Sequence, residues 1–101
     1  MKKRNNFIFQ WDKGNEQKNW ISHQVSRKEQ EEVFYDTKSK RFNDPKHSTP
    51  FEKRFLLFGK TKQGKKLVIA FTMREEKIRP ISARPMKRKE VPMYEKTISV
   101  A

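Results

Sequence analysis

Apolar and polar positions along the chain divide it into short elements. Phe7-Ile8-Phe9-Gln10-Trp11 has strand character, and Asp12 behind it suits the N-cap of a helix running toward Gln24, which Gly14 weakens. The stretch "SRKE", Ser26 to Glu29, has the spacing of a capping box, so a second, short helix starts there and turns Val33 and Phe34 inward. Thr37 to Asn43 is polar apart from Phe42 and suits a charged edge strand, while Asp44 to Pro50 reads as a loop. Two apolar runs of strand length, Lys53 to Lys60 ("KRFLLFGK") and Lys65 to Met73 ("KKLVIAFTM"), flank Thr61-Lys62-Gln63-Gly64, where glycine can supply the positive φ of a hairpin. Arg74-Glu75-Glu76 makes a second tight turn, and Lys77 to Ala83 returns as a further strand, giving a three-strand antiparallel meander.

Pro80 has no amide hydrogen, so this last strand takes an outer position or a bulge. Pro85 suits the first position of a C-terminal helix over Met86 to Lys96, which Pro92 kinks or splits. The order of elements specifies an α+β fold: an antiparallel sheet with two N-terminal helices and one C-terminal helix on one face, and the other face open. One domain is expected over residues 1–101, its core at about 7–96, with mobile ends at 1–5 and 97–101. An open face flanked by a basic strand end and a basic helix is a cradle for a single-stranded polynucleotide.

Composition narrows the function classes. The absence of cysteine excludes a disulfide framework, a Cys-ligated zinc site and a thiol nucleophile, and agrees with a reducing cytoplasm. The apolar run behind Met1-Lys2-Lys3-Arg4 is too short for an export segment, and no stretch reaches membrane-spanning length. Charge is unevenly spread: residues 1–52 carry eleven basic and eight acidic side chains, residues 53–101 fourteen and four. The C-terminal half therefore faces polyanions, which release counterions on binding a basic surface. An acidic protein partner could neutralise the same surface.

The segments "WDKGNEQKNWISHQVS", "EEVFYD", "DPKHS", "EKRFLLFG", "LVIAFT" and "IRPISARPMKRKE", closing on Tyr94-Glu95, together resemble the BrnT family of bacterial type II toxins from about Phe7 to Lys96. The resemblance implies a RelE-like fold, ribonuclease activity without a metal, growth arrest by RNA cleavage, and neutralisation by a BrnA-like antitoxin. Operator DNA would be bound only through the complex with that antitoxin. The chain departs from the family pattern at Ser22 and Gln24, where Lys-His-Gly-Val is usual, and at Pro85 and Pro92, which interrupt a helix usually continuous.

Metal-free RNA cleavage needs a base for the 2′-hydroxyl, cations for the phosphate and an acid for the leaving oxygen. His23, matching the family's Lys-His mark, is the expected proton-transfer group; it reads equally as a helix C-cap. His47 in "DPKHS" could serve, or could belong to an Asx-type turn. Two histidines with no third ligand at metal spacing do not make a zinc site, so neither metal nor cofactor is expected. Arg84, at the end of the last strand, is the expected phosphate fork, a group of little consequence for the core. Arg54 and Arg79 either join it on the open face or pair with a carboxylate such as Glu52. Lys87, Arg88 and Lys89 would guide RNA or simply be solvated. Tyr94 would stack on a base or lie in the core. The residues alone leave two other readings open: a non-catalytic nucleic-acid- or antitoxin-binding module, and an accessory protein with a purely proteinaceous partner.

Overall fold

A computed structural model describes residues 7–15 and 23–96. Most of the expected first helix, Asp12 to Gln24, falls at residues 16–22, outside the described residues, as do the expected mobile ends at 1–5 and 97–101. The capping box at Ser26 is formed: its Oγ accepts from the Glu29 amide at 3.0 Å, and Glu29 Oε1 accepts from the Ser26 amide at 2.8 Å. Helix α1 follows over Arg27–Phe34 and buries Gln30, Val33 and Phe34, one face at helical spacing.

The sheet is a four-stranded antiparallel meander in sequence order, β1 (Lys40–Asn43), β2 (Arg54–Lys60), β3 (Lys66–Arg74) and β4 (Lys77–Pro85). β1 is shorter than the expected Thr37 to Asn43 because Asp36 turns the chain, accepting the Lys38 amide on its side chain and the Ser39 amide on its carbonyl. Gly64 closes the β2–β3 hairpin at φ +94°. The β3–β4 turn places two glutamates, Glu75 (φ 52°) and Glu76 (φ 68°), in the left-handed region that Asn-Gly suits better. Replacing the pair by Asn-Gly is expected to stabilise the protein by roughly 1 kcal/mol, a rise of about 4–8 °C in Tm for a domain of this size, measurable by thermal denaturation.

The N-terminal segment expected as a strand makes one parallel bridge, Phe9 to Ile78, with hydrogen bonds from the Gln10 amide to the Ile78 carbonyl and from the Ile78 amide to the Ile8 carbonyl. It goes no further because Pro80 offers no donor, and the Pro80 carbonyl is taken at 2.8 Å by the Asn15 side chain. Opposite Pro80 the β3–β4 register shifts, between Ala70 and Phe71, so the proline has both the outer strand and the bulge that its chemistry asks for.

Alternation along the strands sorts the core into two clusters. Leu57, Leu67, Ile69, Phe71, Ile78 and Ala83 face α1 and pack with Val25, Val33 and Phe34. α1 lies close on β2: a Cβ at Gly59 would come within 2.7 Å of Val33 Cγ1. Phe58 and Val68 point the other way and pack with Tyr94. The C-terminal segment therefore does not share a face with α1 as expected; it covers one end of the opposite face. Pro85 is not a helix start but the last residue of β4, paired with Leu67. A 3-10 turn, Arg88–Glu90, precedes a five-residue helix, α2 (Val91–Glu95), with Pro92 in its first turn where a missing donor costs nothing. Arg84, opposite Val68, lies on this second face, and its ion pair with Glu90 draws the chain over it.

Candidate functional site: an arginine cleft on the open sheet face

Beyond the Tyr94 cluster the second face of the sheet stays uncovered by α1 or α2, and its far end is cationic. Register puts Arg54 opposite Thr72, and Thr72 opposite Arg79, so the three stand in one row across β2, β3 and β4. Arg74, two residues beyond Thr72, shares their face. Thr72 is buried and its hydroxyl donates to the Lys53 carbonyl at 2.8 Å, fixing the middle of the row. Arg54, Arg74 and Arg79 line a small cleft of about 180 Å³ together with Gly14, Asn15, Pro80 and Ile81.

Each guanidinium is oriented by a carboxylate. Arg79 grips Asp12 with both terminal nitrogens, at 2.9 and 3.1 Å, and donates to Gln10 Oε1 at 3.2 Å. Glu52 bridges the other two, accepting from Arg54 at 3.3 Å and from Arg74 at 3.0 Å. These cations hold both carboxyls below the usual carboxylate range, Asp12 chiefly through Arg79 and Glu52 chiefly through Arg74. Asp12 is fixed from behind by Asn15, itself 3% exposed, whose Oδ1 accepts the Asp12 amide and whose Nδ2 donates to the Gln10 and Pro80 carbonyls. Arg79 is only 14% exposed while Asp12 is 55% exposed, so an incoming anion meets the carboxylate first and the guanidinium behind it.

The other expected site residues lie elsewhere. Arg84 stands toward the opposite end of β4, opposite Val68, with its fork closed on Glu90: Nη1 to Oε1 at 2.7 Å and Nη2 to Oε2 at 2.9 Å. Glu90 also accepts the Lys87 amide at 2.8 Å. Arg84 is thus a structural tie as well as a cation. His23 is exposed beside Gln24, whose carbonyl accepts from Lys65 at 3.5 Å, next to the end of β3 opposite to Thr72. His47 is bonded to Asp44 Oδ2 at 3.0 Å, in a turn whose Ser48 hydroxyl donates to the Asp44 carbonyl and accepts the Arg54 amide. The loop sequence allowed an Asx-type turn; here the Asp44 backbone carbonyl accepts the His47 amide at 3.2 Å, and the Asp44 side chain takes the His47 ring instead. Lys87, Arg88 and Lys89 are exposed. Tyr94 is 6% exposed, leaving no free face for a base; burial and the hydroxyl's bond to Asp36 at 2.5 Å raise its pKa.

Of the four expected catalytic residues the fold therefore brings two together, Arg54 and Arg79. Arg74 reads from the sequence as a turn residue and Asp12 only as a cap. The signal for Arg74 is the hairpin spacing: turns at 61–64 and 75–76 align Arg54, Thr72 and Arg79, and any arginine two residues from Thr72 must share their face. Among the described residues no group of three His, Cys, Asp or Glu side chains is placed to hold a metal, and no helix is long and apolar enough to cross a membrane.

Comparison with protein families gives one match: the model described as ribonuclease toxin, BrnT, of type II toxin-antitoxin system, over residues 11–90. No curated protein matched the chain.

Proposed function

The chain belongs to the BrnT family of ribonuclease toxins of type II toxin-antitoxin systems, and we propose that it cuts RNA without a metal in the cleft of Arg54, Arg74 and Arg79. The observation that carries this reading is the convergence of three guanidiniums on one cleft of the open face. A phosphodiester displaces the exposed Asp12 carboxylate, and the Arg79 fork takes two of its oxygens. Arg54 and Arg74, held by Glu52, stabilise the charge that gathers on the phosphoryl oxygens as the 2′-hydroxyl attacks and the P–O5′ bond breaks, the 5′-oxygen leaving with a proton from solvent. The released Asp12 carboxylate lies beside that hydroxyl and accepts its proton, and the need for the hydroxyl makes RNA the substrate rather than DNA. Arg79 is the chief reason that the Asp12 carboxyl is held low at rest, so leaving the fork makes Asp12 more basic, and orientation and charge stabilisation supply the rest of the rate.

The strand runs on along the sheet face toward Arg84, Lys87, Arg88 and Lys89, which attract its flanking phosphates. A small BrnA-like antitoxin covers the cationic face in the resting cell, and operator DNA is met only through that complex. Expression of the chain alone in a bacterial host tests the reading: growth arrest with loss of total RNA is expected, relieved by co-expression of the cognate antitoxin. Normal growth with intact RNA at high expression would favour a non-catalytic binding module. Since His23 lies toward the opposite end of the strands, on the side that α1 covers, His23→Ala is expected to leave RNA cleavage within about twofold of the parent; a loss near the 10²–10⁴-fold of a lost general acid or base would return it to the mechanism.

A further inference from the structure

We infer that Phe51 is a stacking platform for an unpaired base of the RNA strand, a subsite adjoining the arginine cleft; the inference rests on reading that cleft as the RNA site. Phe51 is 95% exposed, more than any other large apolar side chain among the described residues. Its companions behave differently: Phe34, Phe58 and Phe71 are buried, Phe7, Phe9 and Phe55 pack against the core, and Phe42, 36% exposed, still lies edge-on to Phe58. Leaving a ring in water at a loop tip forgoes the burial free energy that the other phenylalanines gain.

The turn that carries the ring is also constrained. The Thr49 amide donates to the Glu52 carbonyl at 2.8 Å and the Glu52 amide to the Thr49 carbonyl at 3.2 Å. Thr49 Oγ1 accepts the Phe51 and Glu52 amides at 3.1 and 3.0 Å, and Pro50 fixes its own φ. A ring on so constrained a turn loses little backbone freedom when it binds. The next residue, Glu52, is the carboxylate that bridges Arg54 and Arg74, so the ring stands one residue along the chain from the group that orients two guanidiniums. That juxtaposition suits a nucleotide, whose base needs a flat π-face and whose phosphate needs cations. A protein partner would instead need contiguous apolar surface, and the flanking Thr49, Pro50 and Lys53 are exposed and bring little of it. Because every base has a π-face, the subsite tolerates sequence and selects single strands.

The test is fluorescence anisotropy of the full chain with a labelled single-stranded RNA carrying 2′-O-methyl groups, which cannot be cut, over a series of salt concentrations. Phe51→Ala is expected to weaken binding by about tenfold, the loss of one stacked base, with an unchanged salt slope. Phe51→Trp should keep the affinity and Phe51→Leu should lose it, since leucine keeps apolar bulk without a π-face. Parent-like binding by Phe51→Ala, or rescue by leucine, overturns the inference. So does a Phe51→Ala protein that loses the cognate antitoxin while binding RNA normally, which would give the ring to the protein partner. Arg79→Ala on the same oligonucleotide separates the two readings. If it weakens binding and Phe51→Ala does not, only the stacking subsite falls; if the parent binds no RNA at all, the reading of the cleft falls with it.

Discussion

Arg79→Ala is expected to lower the rate of RNA cleavage by at least about 100-fold, and Arg79→Lys by nearly as much, while both variants fold. Lysine keeps the charge but cannot hold two phosphate oxygens at once, so a large loss in Arg79→Lys identifies the fork rather than the field. The protein should survive the change because Asp12, more than half exposed, stays solvated when Arg79 is gone, and Asn15 fixes the Asp12 turn to Pro80 independently of Arg79. Single-turnover cleavage of a short RNA, with circular dichroism as the check on folding, measures both. A folded Arg79→Ala protein that cuts RNA at the parent rate would remove Arg79 from the mechanism.

Glu90→Gln is expected to destabilise the protein by roughly 1 kcal/mol at neutral pH, a fall of several degrees in Tm, because it breaks a partly buried, two-bonded ion pair and weakens the bond to the Lys87 amide. Arg84 is the main reason that the Glu90 carboxyl is pushed down to about 2, and Glu90 in turn raises the Arg84 pKa. A carboxyl depressed in the folded state contributes stability above its unfolded value, and that contribution disappears as the pH falls through the folded value. Between the ordinary glutamate value of 4.5 and about 2, the parent protein should therefore lose stability that the Glu90→Gln variant lacks at every pH. Thermal unfolding of both proteins across that range should show two curves that converge toward acid. Parallel curves would mean that Arg84 and Glu90 are not coupled in solution. Arg84→Ala should show the same stability loss, which the expectation of an arginine dispensable to the core did not include.

The meander was legible because its signals are local. Apolar runs of strand length, a glycine turn, a two-residue return and a proline without a donor each act within a few residues, and β2, β3, β4 and the bulge at Pro80 follow from them. The capping box at Ser26 is equally local, and it formed. What the sequence did not reveal depends on which face a segment packs against. Pro85 reads as a helix start from its flanking residues, but pairing with Leu67 across the sheet holds it in β4. α2 sits opposite α1 because Phe58 and Val68 alternate away from Leu57 and Leu67, a distinction lost on a run where both faces are apolar.

The candidate site was legible by half for the same reason. Arg54 and Arg79 stand out as charges in apolar strands, and cross-strand register then unites them with Arg74. Asp12 is 67 residues from Arg79 along the chain, and no spacing rule reaches so far. Arg84 stands out for its place at a strand end, yet the residue that closes its fork, Glu90, lies only six positions on, in a 3-10 turn where the sequence predicts helix. Tyr94 and His47 resolve toward packing and turn chemistry, the more ordinary uses of a helix aromatic and of an Asp-Pro-x-His-Ser loop.

Attack of the 2′-hydroxyl on a phosphate held by arginines needs no divalent ion and no other group of the substrate. The most direct test is cleavage of a short single-stranded RNA by the purified chain in excess EDTA, with analysis of the product ends. Undiminished cleavage is expected, with 2′,3′-cyclic phosphate on the upstream product and no cut where the scissile nucleotide carries 2′-deoxyribose. Cleavage that stops in EDTA and returns with added divalent metal, or that proceeds at the 2′-deoxy position, would contradict it.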